Sequence, residues 1–408
     1  MSYLTENDKI ELIKLTKELI KIPSSKNDNN KIYEFASDYL SNKGFDVFSQ
    51  SIENPHIPTN TLTNVYTKIG NGNGKKIVLN GHLDTVTTHE TGWFYNPYEA
   101  VEDNGKIYGL GASDMKAGCA SLIIALTALK RLKKEINGEL FLSLVFGEED
   151  SFSFGTDTLL REFDLKKYDI AIVTEPSPLL GYNSYCMTHH KIHNVTFPCI
   201  ITGAEGRALF EIEFIGKSAH ASQPAKGINA IHDASAFINA LVNMDFFSNI
   251  KMGRGEYCIL NFKGATEGFT IPGYCTLDVN RHLVVGETWK TAMKEIKKVI
   301  KKTNPKSKVV INKKHSPSLE HEYNPYVCEN NEMFEKFKQC IPKDVKYAHC
   351  DLTTRSVGDF NFFGTRAKIP VLVFGPGGGN IHSPNEFVNK DEIIKTTDYL
   401  LDYFMKIM

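Results

Sequence analysis

The chain has 408 residues, 41% of them hydrophobic and 23% charged, with a net charge of −1. That length exceeds a single hydrophobic core and predicts about two or three domains, while the near-neutral balance excludes nucleic acid or an anionic membrane as the main electrostatic partner. Eight scattered cysteines without a CxxC pair fit reduced thiols, and no run approaches the roughly 18 uninterrupted apolar residues of a membrane span.

The N-terminal MSYLTENDKIELIKLTKELIKIP mixes charges throughout and lacks a signal-peptide core, so a soluble cytoplasmic protein is expected. Within it, Ile10, Leu12, Ile13, Leu15, Leu19 and Ile20 predict a helix over 6–22, stopping before Pro23. A second helix is predicted from Lys31 to Lys43, ending at Gly44. Ile77–Leu79, Leu140–Phe146 and Ile170–Val173 read as buried strands, with an apolar helix from Cys119 to Leu132 between the first two. Strand, helix, strand in that order predicts an α/β fold with a mostly parallel sheet.

From Arg207 the texture changes. ALFEIEFIG alternates apolar and polar residues, as a sheet with one solvated face does. A helix (228–244), strands (257–262 and 274–281), a helix (288–302) and a strand (309–311) follow. The basic run Lys297 to Lys308 reads as a solvated helix end and loop. Then a helix at 332–340, a strand at 371–374 and a C-terminal helix restore the first texture. The expected organisation is a discontinuous α/β domain at 1–205 and 315–408, interrupted by an α+β domain at 206–314.

Each buried strand of the first domain ends in metal-binding chemistry. KIVLNGHLD ends in His82 and Asp84, LFLSLVFGEED in Glu148, Glu149 and Asp150, and IAIVTEPS in Glu175. VLVFGPGGGNIHSPNE leads through a glycine loop to His382. Sites in open α/β sheets collect outside the carboxyl ends of the strands. Taken alone, each residue has an ordinary structural reading, but several carboxylates in one crevice repel one another unless a cation joins them. In GLGASDMKAG, Asp114 occupies the third-glycine position of a dinucleotide loop, where a carboxylate opposes a pyrophosphate. Asp114 is instead either a helix N-cap or a further metal ligand.

GHLDTV, GLGASDMKAG, GEE, TEP, GKSAHASQP and GPGGGNIHSPNE follow one another in the order of the M20 metallopeptidase and deacylase family, which the chain resembles along almost its whole length. That family includes acetylornithine deacetylase, succinyl-diaminopimelate desuccinylase, aminoacylase and glutamate carboxypeptidase types. The resemblance implies a catalytic domain holding two Zn²⁺, with Co²⁺ or Mn²⁺ as alternatives, and an inserted lid that often dimerises. It implies that His82 and Glu175 hold one metal, Glu149 and His382 the other, and Asp114 bridges them. Asp84 would orient the His82 imidazole, and Glu148 would be the general base.

In the lid, His220 resembles the histidine that stabilises the oxyanion, often from the partner subunit. Arg281 resembles the arginine that grips the substrate carboxylate, with His282 as the alternative register. Gly378 and Gly379, with Gly377, would offer backbone N–H groups to the same carboxylate. The implied function is hydrolysis of an N-acyl amino acid by metal-activated water; the alternative is a carboxypeptidase or dipeptidase acting on short peptides. Glu175, rather than Asp, resembles the deacylase and carboxypeptidase branch. Phe269 stands where family deacylases often carry asparagine. His189, His190 and His193 read as a polar loop, with an extra metal site as the alternative. The expected partners are a small-molecule substrate and a second copy of the chain, with no nucleic acid or membrane.

Overall fold

A computed structural model of the protein describes residues 2–25, 30–53, 61–88, 91–133, 135–149, 153–180, 184–186, 191–193, 195–245, 247–314, 322–345 and 348–408. The chain forms two compact units. The first runs to Ala204 and resumes at Val327, and the second begins at Glu205 and closes at Tyr326.

The first unit is built on a long mixed sheet. Its four central strands lie in the order Gly138–Val145, Lys75–His82, Ile170–Val173 and Val371–Val373. These four are mutually parallel. Antiparallel strands flank them, Val47–Glu53 and Thr61–Ile69 on one side and Ile201–Ala204 on the other. Ile77, Val78, Leu79, Phe141, Leu142, Ile170 and Ile172 are wholly buried, as strands covered on both faces require.

The helix Ala117–Leu132 is buried on nearly every side and packs against the terminal helices Glu6–Lys21 and Lys390–Ile407. Residues 112–132 are long and apolar enough to cross a membrane, yet 94% of an apolar 18-residue window within them is buried inside the protein, as a core helix is. Glu6–Lys21 begins in a capping box: the Asp8 amide donates to Thr5 Oγ1 at 3.2 Å and the Thr5 amide to Asp8 Oδ2 at 2.7 Å. Such a cap is worth about 1 kcal/mol. A small antiparallel sheet joins Gly378–Gly379, Phe387–Asn389, Lys106–Tyr108 and Val101–Asp103.

The second unit is a four-stranded antiparallel sheet, ordered Tyr257–Lys263, Tyr274–Leu283, Gly206–Ile215, Lys308–Lys314. Strand Gly206–Ile215 buries alternate side chains, so Phe210, Ile212 and Phe214 share one core with Phe237, Leu241, Ala292 and Ile296. Those four lie on the helices Ala230–Val242 and Trp289–Thr303.

Candidate active site

The parallel register carries the carboxyl ends of the central strands to one edge of the sheet. His82 is the last residue of its strand, Glu148 and Glu149 follow Val145, and Glu175 follows Val173. His382, in left-handed backbone at φ 57°, follows the small-sheet turn after Val371–Val373. Asp114 precedes the core helix without capping it: Lys116 holds the cap position and no side chain caps it.

These side chains converge. His82 Nε2 lies 3.2 Å from Asp114 Oδ1 and 3.5 Å from Glu175 Oε1. His382 Nε2 lies 2.9 Å from Glu149 Oε1 and 3.6 Å from Asp114 Oδ2. Asp114 therefore faces one histidine with each oxygen. The donor atoms fall into two sets, His82–Asp114–Glu175 and Asp114–Glu149–His382, each within 4.8 Å.

Asp84 meets the His82 ring through both its backbone and its carboxylate. His82 Nδ1 is 3.0 Å from the Asp84 backbone carbonyl and 3.6 Å from its carboxylate. A proton on Nδ1 donated to that carbonyl leaves the Nε2 lone pair facing Asp114 and Glu175, as a metal-ligating histidine requires. The Asp84 carboxylate also accepts the amides of Glu148 at 3.4 Å and Glu149 at 3.1 Å. It fixes the backbone beneath both glutamates.

Sequence reasoning missed Glu386. Its buried carboxylate accepts the amides of Gly111 at 2.8 Å, Ser113 at 2.9 Å and Asp114 at 3.0 Å, holding the loop that presents Asp114. Lys116, wholly buried, donates from Nζ to the Ile22 carbonyl at 2.9 Å behind that loop. The final Glu of HSPNE was the available signal.

The electrostatics test whether these residues suit a cation. Burial pushes Glu148 and Glu149 well above the usual carboxylate range, with neighbouring carboxylates adding to the rise. Burial, then Asp114, pushes Glu175 up to about 8. Burial opposes charge on His82, but Glu175, Asp114 and Asp84 outweigh it and raise the imidazole well above its ordinary value. Burial also opposes charge on Asp114, yet His82 outweighs it and keeps that carboxyl low. Crowded carboxylates around two Nε2 atoms form a donor set of the kind that holds divalent transition metals. The residues fit a metal pair.

Of the remaining predicted residues, His220, Arg281 and His282 belong to the second unit and the glycines to the first. His220 is exposed in the second unit, its Nδ1 2.7 Å from Ser222 Oγ. Arg281 is wholly buried in that unit, 2.5 Å from Glu287 Oε1 and 3.2 Å from Glu295 Oε2, with its guanidinium over the Tyr257 ring. That burial makes it part of the unit's own packing and not an accessible grip for a substrate carboxylate. His282, in the alternative register, pairs with Glu205 at 3.2 Å. Gly378 and Gly379 pair with Val388 and Phe387, and the Gly377 amide donates to Glu392. Asp150, His189 and His190 lie outside the described residues; His193 is described only as backbone of the strand Lys191–His193.

A succinyl-diaminopimelate desuccinylase from a Nitratiruptor species is 26% identical over 391 residues, covering 95% of this chain and 97% of the relative. An acetylornithine deacetylase from Buchnera aphidicola subsp. Schizaphis graminum is 29% identical over 274 residues, 65% of each chain. The crystal structure of a tripeptidase from Staphylococcus aureus superposes with a TM-score of 0.74 at 20% identity, covering 98% of both chains, and so shares the fold. The model of peptidase family M20/M25/M40 matches residues 78–406, a span that holds every one of the five convergent donors. Strand ends, donor cluster and family match agree: this chain is a member of peptidase family M20/M25/M40, a metal-dependent hydrolase of amide bonds.

Proposed function

We propose that the protein is a two-metal amidohydrolase that cleaves an N-acyl amino acid into a carboxylic acid and a free amino acid. The observation that carries this reading is Asp114 facing His82 with one oxygen and His382 with the other. His82 and Glu175 would hold one ion, Glu149 and His382 the other, with Asp114 shared; zinc suits these donors. Bound there, the ions would supply an activated water and polarise the scissile carbonyl.

The chain's own residues do the rest. Glu148 takes the proton of the attacking water and delivers it to the leaving nitrogen, help typically worth about 10² to 10⁴ in rate. Its burial supports this role, because desolvation raises the carboxyl's affinity for a proton above that of an ordinary carboxylate. For His220, whose Nδ1 is engaged by Ser222, the motif GKSAHASQP supports a role in stabilising the oxyanion. A homodimer through the second unit is part of the reading. It is supported by the outer strand Tyr257–Lys263, whose Leu260 and Phe262 are exposed. Seven unbridged cysteines among the described residues support a cytoplasmic setting.

The test is a hydrolysis panel of N-acetyl and N-succinyl amino acids beside dipeptides and tripeptides, with Zn²⁺ or Co²⁺ added. Turnover of the acyl amino acids above the peptides is expected. Preferential peptide turnover assigns the same site to a peptidase. In Glu148→Ala, turnover is expected to disappear while bound metal stays at the wild-type level; retained activity removes Glu148 as the base.

A further inference from the structure

We propose that Gly358 is a positioning residue for the Glu148 carboxylate, an inference that rests on Glu148 being the base. A Cβ built on Gly358 would lie 2.8 Å from Glu148 Oε1, closer than such atoms approach. The space that any other residue would fill is the space the carboxylate occupies.

The backbone cannot yield to make room. The Gly358 amide donates to Asn361 Oδ1 at 3.0 Å, and the Asn361 amide returns a hydrogen bond to the Gly358 carbonyl at 3.0 Å. Asn361 is wholly buried. The same Cβ would lie 2.9 Å from a ring carbon of the buried Phe360. Gly358 has extended backbone (φ −172°, ψ −164°), which any residue adopts, so only space demands glycine here. Of the two neighbours, the mobile one is the carboxylate end of Glu148. An added methyl therefore acts on the base more than on the fold, and a base misplaced by about 1 Å costs on the order of 10² in rate. Asp84 accepts the Glu148 amide, so backbone and carboxylate are positioned by different partners.

The experiment measures kcat, KM, zinc per chain and melting temperature for the zinc-loaded protein, using the best substrate of the panel. Gly358→Ala is expected to lower kcat about 10²-fold, with KM changed less than about twofold and zinc unchanged. Glu148→Asp withdraws the carboxylate by one methylene, so in Gly358→Ala it should cost less than it does alone, giving a non-multiplicative double-mutant cycle. Wild-type kcat in Gly358→Ala, parallel loss of zinc and kcat, or a multiplicative cycle overturns the proposal. If Gly358→Ala unfolds, recovery of the fold by Glu148→Asp in the same chain supports it and no recovery overturns it. Glu148→Ala keeps the two readings apart. Its activity, if retained, refutes the base, whereas an inactive Glu148→Ala beside a fully active Gly358→Ala refutes only the role of Gly358.

Discussion

Asp84 and Glu386 hold the donor cluster from behind by accepting backbone amides from the segments that carry its carboxylates. Glu386→Gln should leave the fold intact and weaken metal binding by about 10- to 100-fold, because one amide-accepting carboxylate orders the whole Asp114 loop; metal titration measures this. Arg281 gives the opposite expectation. Arg281→Ala leaves Glu287 buried without its partner and should destabilise the second unit by about 3–5 kcal/mol. Thermal unfolding should register that loss while KM for the preferred substrate stays within about twofold of wild type. His82, Glu149 and Glu175 were legible because they stand at or just beyond the ends of apolar strands, and His382 because a glycine loop leads to it from another. Glu386 was not, since its partners are more than 270 positions away in sequence. Arg281 was misleading: a strand arginine has the same local signature whether it meets a substrate or buried glutamates.

The strand Lys75–His82 reaches the site only because it can lie against the segment leading into the core helix. A Cβ at Gly81 would lie 2.6 Å from Cys119 Sγ and 3.0 Å from Met115 Cε. Gly81→Ala should therefore cost about 1–3 kcal/mol by overpacking and displace the neighbouring His82. Lower denaturant midpoint and weaker metal binding together would show it; an unchanged midpoint would contradict it. The buried strands and long helices could be read from uninterrupted apolar runs and helical periodicity. Val47–Glu53 and Thr61–Ile69 escaped that reading because both are rich in polar residues and pair at the sheet margin. The small sheet that ties the glycine turn to Lys106–Tyr108 escaped too, being made of segments of two or three residues.

Across the molecule, the crowded acids make stability depend on metal and pH together. In the folded, metal-free chain Glu175 rises from 4.5 to about 8. Between those values the folded chain keeps a proton that the unfolded chain has released, so stability falls as pH rises. His82, raised by its carboxylate neighbours, acts in the same direction: its contribution is complete below its ordinary 6.5 and is lost as pH passes through the folded value. A bound cation keeps the carboxylates ionised and the ligating histidines neutral, while the unfolded chain still protonates its histidines below about pH 6.5, so the slope is reversed. The melting temperature of metal-stripped protein should fall between about pH 5 and pH 8, while that of zinc-loaded protein should rise over the same range. Parallel curves would contradict the proposed pairing of acids with metal.

The two-metal site itself is tested most directly by counting zinc bound per chain in calorimetric titrations of metal-stripped wild type, His82→Ala, His382→Ala and Asp114→Ala. Two zinc ions are expected in the wild type, one in each histidine variant, and weakened binding at both sites in Asp114→Ala. A single ion in the wild type, or full binding at either site after loss of Asp114, would contradict a carboxylate shared between two metals.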